Sequence, residues 1–232
     1  MIYKKIKAIY FWLLFFISVA FVVLCFCFTK SQNMLWKIRK IWAKFQRFVI
    51  SYKIKLVGEF DLNANMILMN HQSMLDIIAL EQIYPKNLCW IAKKELSEIP
   101  FFKIAIKKPK LLCIDRANPR DLVRVLKEAK QRLNEGRVLS IFPEGTRSKG
   151  EKMLKFQSGA KILSDKLNLK VQPLLIVDSA RILDTKSLSA SSGTLKIICL
   201  PLVDTNDEKW LENTRKQMQE LLDNERAKLK NY

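Results

Sequence analysis

From Ile9 to Phe28 the chain runs for twenty residues without a charge, crowded with Phe, Leu, Val and Ile. As a helix this stretch is about 30 Å long, the thickness of a bilayer's hydrocarbon core. That argues against a chain surrounded by water on every side. A secretory signal is the competing assignment, because Lys4, Lys5 and Lys7 precede the run. The stretch is long for a signal peptide, and Cys27-Phe28-Thr29-Lys30 offers no small-x-small cleavage site. A retained membrane-binding helix is expected.

Ser31 to Tyr52 read as an amphipathic helix. Leu35, Ile38, Trp42, Phe45 and Val49 recur at three- and four-residue spacing, with Ile41, Phe48 and Tyr52 widening the stripe. Lys37, Lys40, Lys44 and Arg47 fall on another face. Basic residues interleaved with aromatic rings suit the membrane interface; a core-packing helix with solvated charges is the plainer alternative. Residues 1–58 hold eleven Lys/Arg and no Asp or Glu, so more than half of the net charge of +19 lies in the first quarter of the chain. Such an excess attracts nucleic acid or an anionic membrane surface. Beside an apolar twenty-mer the membrane surface is the expected partner, and nucleic acid is not. Either the first helix crosses the bilayer or the two helices dip in from one side. Basic residues follow the apolar run more densely than they precede it, which places the body of the chain on the cytoplasmic side of an inner membrane. Residues 1–52 are thus expected to be a membrane anchor and 53–232 the functional domain.

In the body, short apolar runs alternate with helical patterns. Expected strands are Lys53–Val57, Met66–Met69, Leu88–Ala92, Leu111–Ile114, Val138–Phe142, Val171–Val177 and Leu195–Leu200. Several are continuous apolar runs, as strands covered on both faces require. The clearest helix begins near Asp121, turns Leu122, Val125, Leu126, Ala129 and Leu133 inward, and stops at Gly136; the last spans roughly Asp207 to Lys230. The alternation predicts an α/β fold with a mainly parallel central sheet flanked by helices. Ser187 to Gly193 reads as a surface loop.

The only histidine, His71, follows the apolar run Met66–Leu68 and precedes Asp76 by five residues. Imidazole is the default general base near neutral pH, and a carboxylate on Nδ1 would leave Nε2 free to take a proton. A straight helix does not bring these two positions to one face, so the pair needs a strand-to-helix turn. A buried histidine capped by a carboxylate satisfies the same spacing, which by itself leaves both open.

A second constellation follows Val138–Phe142: Pro143, Glu144, Gly145, Thr146, Arg147 and Ser148. Such a turn exposes backbone N–H groups; Arg147 can grip a phosphate bidentately, and Thr146 or Ser148 can add hydroxyl donors. Glu144 cannot bind phosphate directly and suits a basic group or a substrate hydroxyl. Arg116, at the end of a strand, is a further phosphate candidate, although an ion pair with Asp115 or Glu144 explains it equally well. There is no glycine-rich nucleotide loop and no Gly-x-Ser-x-Gly turn. The five cysteines include no Cys-x-x-Cys pair, and one histidine gives no zinc-ligand set, so neither a metal nor a cofactor is expected and the cysteines are expected reduced.

Taken in order, these blocks resemble the glycerolipid acyltransferase family, in particular its bacterial-type 1-acylglycerol-3-phosphate acyltransferases. Asn70-His71-Gln72-Ser73-Met74-Leu75-Asp76 is similar to the family's His-four-residues-Asp motif. Lys94-Glu95-Leu96 through Pro100-Phe101-Phe102 to Ile114-Asp115-Arg116 resembles the second block, Phe142 to Ser148 the third, and Val171-Gln172-Pro173-Leu174 the fourth. Lys103 stands where relatives commonly carry Gly, and Gln172 replaces a frequent proline. The resemblance implies transfer of a fatty acyl group from acyl-CoA or acyl carrier protein to the free hydroxyl of lysophosphatidic acid. It implies His71 and Asp76 as the catalytic pair, Arg116 and Arg147 on the phosphate, Glu144 and Thr146 around the glycerol, and backbone N–H groups near Gly145 on the oxyanion. A related acyltransferase with another acceptor (glycerol-3-phosphate, another lysophospholipid or a lyso-aminolipid) fits the same blocks. A non-catalytic membrane-anchored lipid-binding protein is the alternative from another class.

Overall fold

The computed structural model describes residues 2–115, 118, 120–148, 152–184 and 187–230. Two helices come first, α1 (Ile2–Phe28) and α2 (Gln32–Ile50), then strands β1 (Tyr52–Val57) and β2 (Met66–Met69). Helix α3 (Met74–Ile83), β3 (Leu88–Lys93), α4 (Pro100–Lys107), β4 (Leu112–Ile114), α5 (Asp121–Asn134) and β5 (Val138–Ile141) follow. The chain continues through α6 (Gly159–Leu167), β6 (Val171–Val177), α7 (Ser179–Ile182), the short β7 (Leu183–Asp184) and β8 (Ser189–Ala190), β9 (Gly193–Cys199) and α8 (Trp210–Lys230). All seven expected strands are present, each within two residues of its expected bounds.

They form one sheet in the order β1-β9-β6-β2-β5-β3-β4. Strands β2 to β6 run parallel; β9 is antiparallel to β6 and β1 parallel to β9, so the sheet is mainly parallel with one reversed edge. The period of two in β2 divides the core. Ile67 and Met69 face a cluster with Phe11, Phe15, Ala43, Leu75 and Ile78, from α1, α2 and α3. Met66 and Leu68 face the opposite cluster with Val125, Ala129, Leu163 and Met218, from α5, α6 and α8.

Two sequence expectations are refined. The Ser187–Gly193 stretch is not simply loop: it supplies β8, which pairs with β7, and the first residue of β9. Ala190 is buried there, so packing recruits a segment whose serine-rich composition signals only a turn. Helix α2 divides its apolar stripe, with Leu35 buried and Trp42 and Val49 packed against the core. Its buried face is Leu35, Arg39, Ala43, Gln46 and Ile50, while Ile41, Phe45 and Phe48 stand exposed. The inward polar groups are tolerated because each has a partner: Arg39 on Glu81, and Gln46 on the Ser18 hydroxyl of α1. The sequence departures also find their places. Lys103 sits within α4, where no glycine is needed. Buried Gln172 donates to the carbonyls of Glu59 and Leu200 and accepts from the Asp61 N–H, tying three segments together.

Candidate active site

Helix α3 follows β2 on one face of the sheet, whereas α6 follows the neighbouring β5 on the other. The chain therefore diverges between two adjacent parallel strands, where open α/β sheets form a crevice beyond the strands' carboxyl ends. His71 stands two residues beyond the end of β2, and Glu144 three residues beyond the end of β5.

The turn from β2 into α3 is held by its own side chains. Ser73 is the N-cap of α3, and Asp76, at the third helical position, reaches back to it in a reciprocal capping box. Asp76 is fully buried, and its Oδ2 accepts from the Gln72 and Ser73 N–H groups at 2.7 and 2.9 Å. The same oxygen lies 2.8 Å from His71 Nδ1. A carboxylate oxygen accepting from Nδ1–H leaves Nε2 as the basic nitrogen. The strand-to-helix turn that the five-residue spacing demands is present, and it brings the pair together.

The Pro-Glu-Gly-Thr-Arg turn acts chiefly on the backbone of His71. Glu144 is buried and accepts from the His71 N–H at 2.8 Å through Oε1 and from the Leu154 N–H at 2.7 Å through Oε2. Burial raises the Glu144 carboxyl above its ordinary range, outweighing those two N–H donors. On the other side, Ser148 donates to the His71 carbonyl from its N–H at 2.8 Å and from its hydroxyl at 3.2 Å. Glu144 and Ser148 thus hold the His71 backbone from both sides, their side chains turned inward onto buried backbone groups. Gly145 adopts φ +72°, the left-handed region that glycine enters freely, and its N–H closes the turn on the Phe142 carbonyl at 3.0 Å. Thr146 and Arg147 are exposed on the same turn. Arg116 lies outside the described residues. Strand β4 ends at the same sheet edge, three strands from β2, roughly 14 Å at ordinary strand spacing.

Three contributors escaped the sequence reading. Asn70 is fully buried and bonds both backbone groups of Ile176 at 2.8 Å, extending the β2–β6 pairing to the residue before His71. The Phe142 ring stacks on the imidazole, centroids 3.9 Å apart and planes 15° from parallel. Trp90 in turn stacks on Phe142 at 5.5 Å and 17°. An aromatic residue at a strand end is no signal by itself. Only the β5–β3 neighbour relation, which sets Trp90 beside Ser140, puts these rings in line.

Fold and site together define an α/β protein with a histidine–carboxylate pair at the carboxyl edge of its sheet. Residues 54–177 match the acyltransferase family, a span that includes every element of the site just described. A 1-acyl-sn-glycerol-3-phosphate acyltransferase of Helicobacter pylori is 38% identical over 219 residues, covering 93% of this chain and 92% of that protein. One from Saccharomyces cerevisiae is 26% identical over 89% of this chain and 72% of that protein. The crystal structure of the 1-acyl-sn-glycerophosphate acyltransferase PlsC of Thermotoga maritima superposes with a TM-score of 0.74 over 100% of this chain and 99% of that one, at 21% identity, and so shares the fold. The chain belongs to the acyltransferase family and is an O-acyltransferase.

Proposed function

We propose that the protein transfers a fatty acyl group from acyl-CoA or acyl carrier protein to the free hydroxyl of lysophosphatidic acid, giving phosphatidic acid. The observation that carries this reading is the His71–Asp76 pair, with its backbone clamped by the turn that presents Thr146 and Arg147. His71 Nε2 takes the proton of the acceptor hydroxyl as that oxygen attacks the thioester carbonyl. The tetrahedral intermediate expels the thiolate, the C–S bond breaks, and the imidazolium returns the proton to sulfur. Asp76 keeps the tautomer and offsets the imidazolium charge. General-base assistance of this kind is worth about 10²–10⁴-fold. Arg147 holds the phosphate monoester, joined by Arg116 on the strength of its motif. Thr146 meets the glycerol end, Gly145 gives the turn its shape, and Glu144 seats the base.

Residues 1–52 form the membrane-binding part and 53–232 the catalytic body. Helix α1 has the length and apolarity to cross a bilayer. Yet Phe11, Phe15, Val23 and Phe26 are buried against the protein along its length, while Ile9, Leu13, Phe16, Phe21 and Leu24 face outward beside Phe45 and Phe48 of α2. This supports two helices lying together in one leaflet, on the cytoplasmic side of the inner membrane, over a lipid substrate that never leaves the bilayer.

The test is an acceptor panel. Purified full-length protein receives labelled acyl-CoA or acyl carrier protein with lysophosphatidic acid, glycerol-3-phosphate, lysophosphatidylcholine or a lyso-aminolipid in vesicles. Ester formation on lysophosphatidic acid above all others is expected. Preference for an acceptor without a phosphate monoester would overturn the assignment.

A further inference from the structure

Two charged side chains are buried where α2 packs on α3. Arg39 of α2 and Glu81 of α3 are 8% and 4% exposed. Arg39 donates to Glu81 Oε1 at 2.6 Å and to Asn87 Oδ1 at 2.6 Å. A buried ion pair is a poor device for stability alone, because apolar residues of similar volume commonly do as well or better. This one has another occupant: Glu81 Oε1 also accepts from the indole N–H of Trp90 at 2.6 Å. The indole so fixed lies flat against Phe142, and Phe142 lies flat against His71.

The imidazole needs that support. The covalent link through Cβ and the hydrogen bond from Nδ1 to Asp76 set where the ring points. The stacked Phe142 face limits how far the plane can swing about that setting, and so how well Nε2 stays aimed. Phe142 can hold a plane only if it is itself backed, which Trp90 does from the neighbouring strand. The phenyl face also favours the cation that forms when His71 takes a proton.

We propose that Trp90, tethered by the buried Arg39–Glu81 pair, is a positioning residue for acyl transfer: acting through Phe142, it fixes the plane of His71 and ties the outer helix α2 to the base. The proposal rests on His71 being that base.

Because His71 is the only histidine, its ring protons give the one imidazole signal in a spectrum of the intact, histidine-labelled protein. Stacked beneath Phe142, those protons carry a ring-current shift. Full-length protein in detergent is compared with Trp90→Leu, Trp90→Phe and the pair Arg39→Met/Glu81→Met, the last keeping the core filled. Trp90→Leu is expected to move or broaden the His71 signal and lower kcat about tenfold, with KM for lysophosphatidic acid within about twofold, since ångström-scale misplacement of a reacting group costs up to about a hundredfold. Trp90→Phe, which keeps a ring behind Phe142, restores most of kcat. Arg39→Met/Glu81→Met, which frees the indole, lowers kcat about threefold with the same spectral change, and carries the test should Trp90→Leu not fold. An unmoved His71 signal with unchanged kcat in Trp90→Leu or the double variant overturns the proposal, as does a rise in KM alone. His71→Ala retaining full activity would sink the assigned base instead, while the ring-current result would still report whether Trp90 orders the imidazole.

Discussion

The two helical layers on either side of the sheet treat their outward faces differently. On the α5, α6 and α8 side, apolar residues such as Val125, Leu163, Met218 and Leu222 turn inward and most charged ones turn out, as helices bathed in water require, with Arg132 and Glu225 the buried, ion-paired exceptions. On the other side, α2 buries Arg39 and Gln46 and exposes Ile41, Phe45 and Phe48, and α1 exposes Phe16, Phe21 and Leu24. The first layer is sorted by water. The second packs over His71, carries Asp76 and Glu81, and keeps an apolar exterior. The difference teaches that one face of this sheet is finished for water, while the other buries polar groups under the candidate site and leaves large apolar side chains outside.

The largest effects are expected where the second layer meets the base. His71→Ala, and Asp76→Asn on α3, should each lower kcat by about 10²–10⁴-fold in the acyl-transfer assay, while Arg215→Ala on α8 leaves it unchanged. Equal losses at all three would erase the distinction between layers. Next come the outward rings. Phe16→Glu with Phe45→Glu removes two side chains each worth about 1.5–3 kcal/mol when buried, so vesicle binding should fall at least about a hundredfold. Val123→Glu, on the exposed face of α5, should leave vesicle flotation as it was. Third, Met218→Ala in the opposite core should cost about 2–5 kcal/mol in urea unfolding without changing kcat per folded molecule.

The smallest effect concerns pH. The Glu144 carboxyl is raised by burial, so the folded state holds its proton more tightly than the unfolded chain. The stability this gives is complete below the ordinary carboxylate value and is lost as the pH rises through the folded value. In Glu144→Gln that dependence should vanish. Melting temperatures of the two proteins, compared from pH 4 upward, should converge or cross as the pH rises. Parallel curves would mean that Glu144 does not titrate in this range.

How much of this was legible beforehand follows from sequence distance. His71 and Asp76 are five residues apart, so a turn between a strand and a helix is enough to join them, and the spacing announces it. Strands β2 and β6, both fully buried, are visible as continuous apolar runs because both of their faces are covered. Glu144 was visible as part of a turn, but its partner is a backbone N–H 73 residues away, and Asn70 meets Ile176 across 106. Arg39 enters the sequence reading only as one of the eleven cations of residues 1–58. Nothing in its neighbours in the chain announces Glu81, because that contact exists only once α2 lies on α3.

By itself, then, the sequence determined the alternation of strands and helices, the apolar and basic character of the first fifty residues, and the dyad, all of which depend on residues close together along the chain. Tertiary structure alone decided which face of α2 turns inward, that Glu144 and Ser148 hold the base's backbone, and that Trp90 and Phe142 stack upon its ring. The physical reason is that a buried polar group or an aromatic plane takes its role from whatever packs against it, and those partners are chosen by strand order.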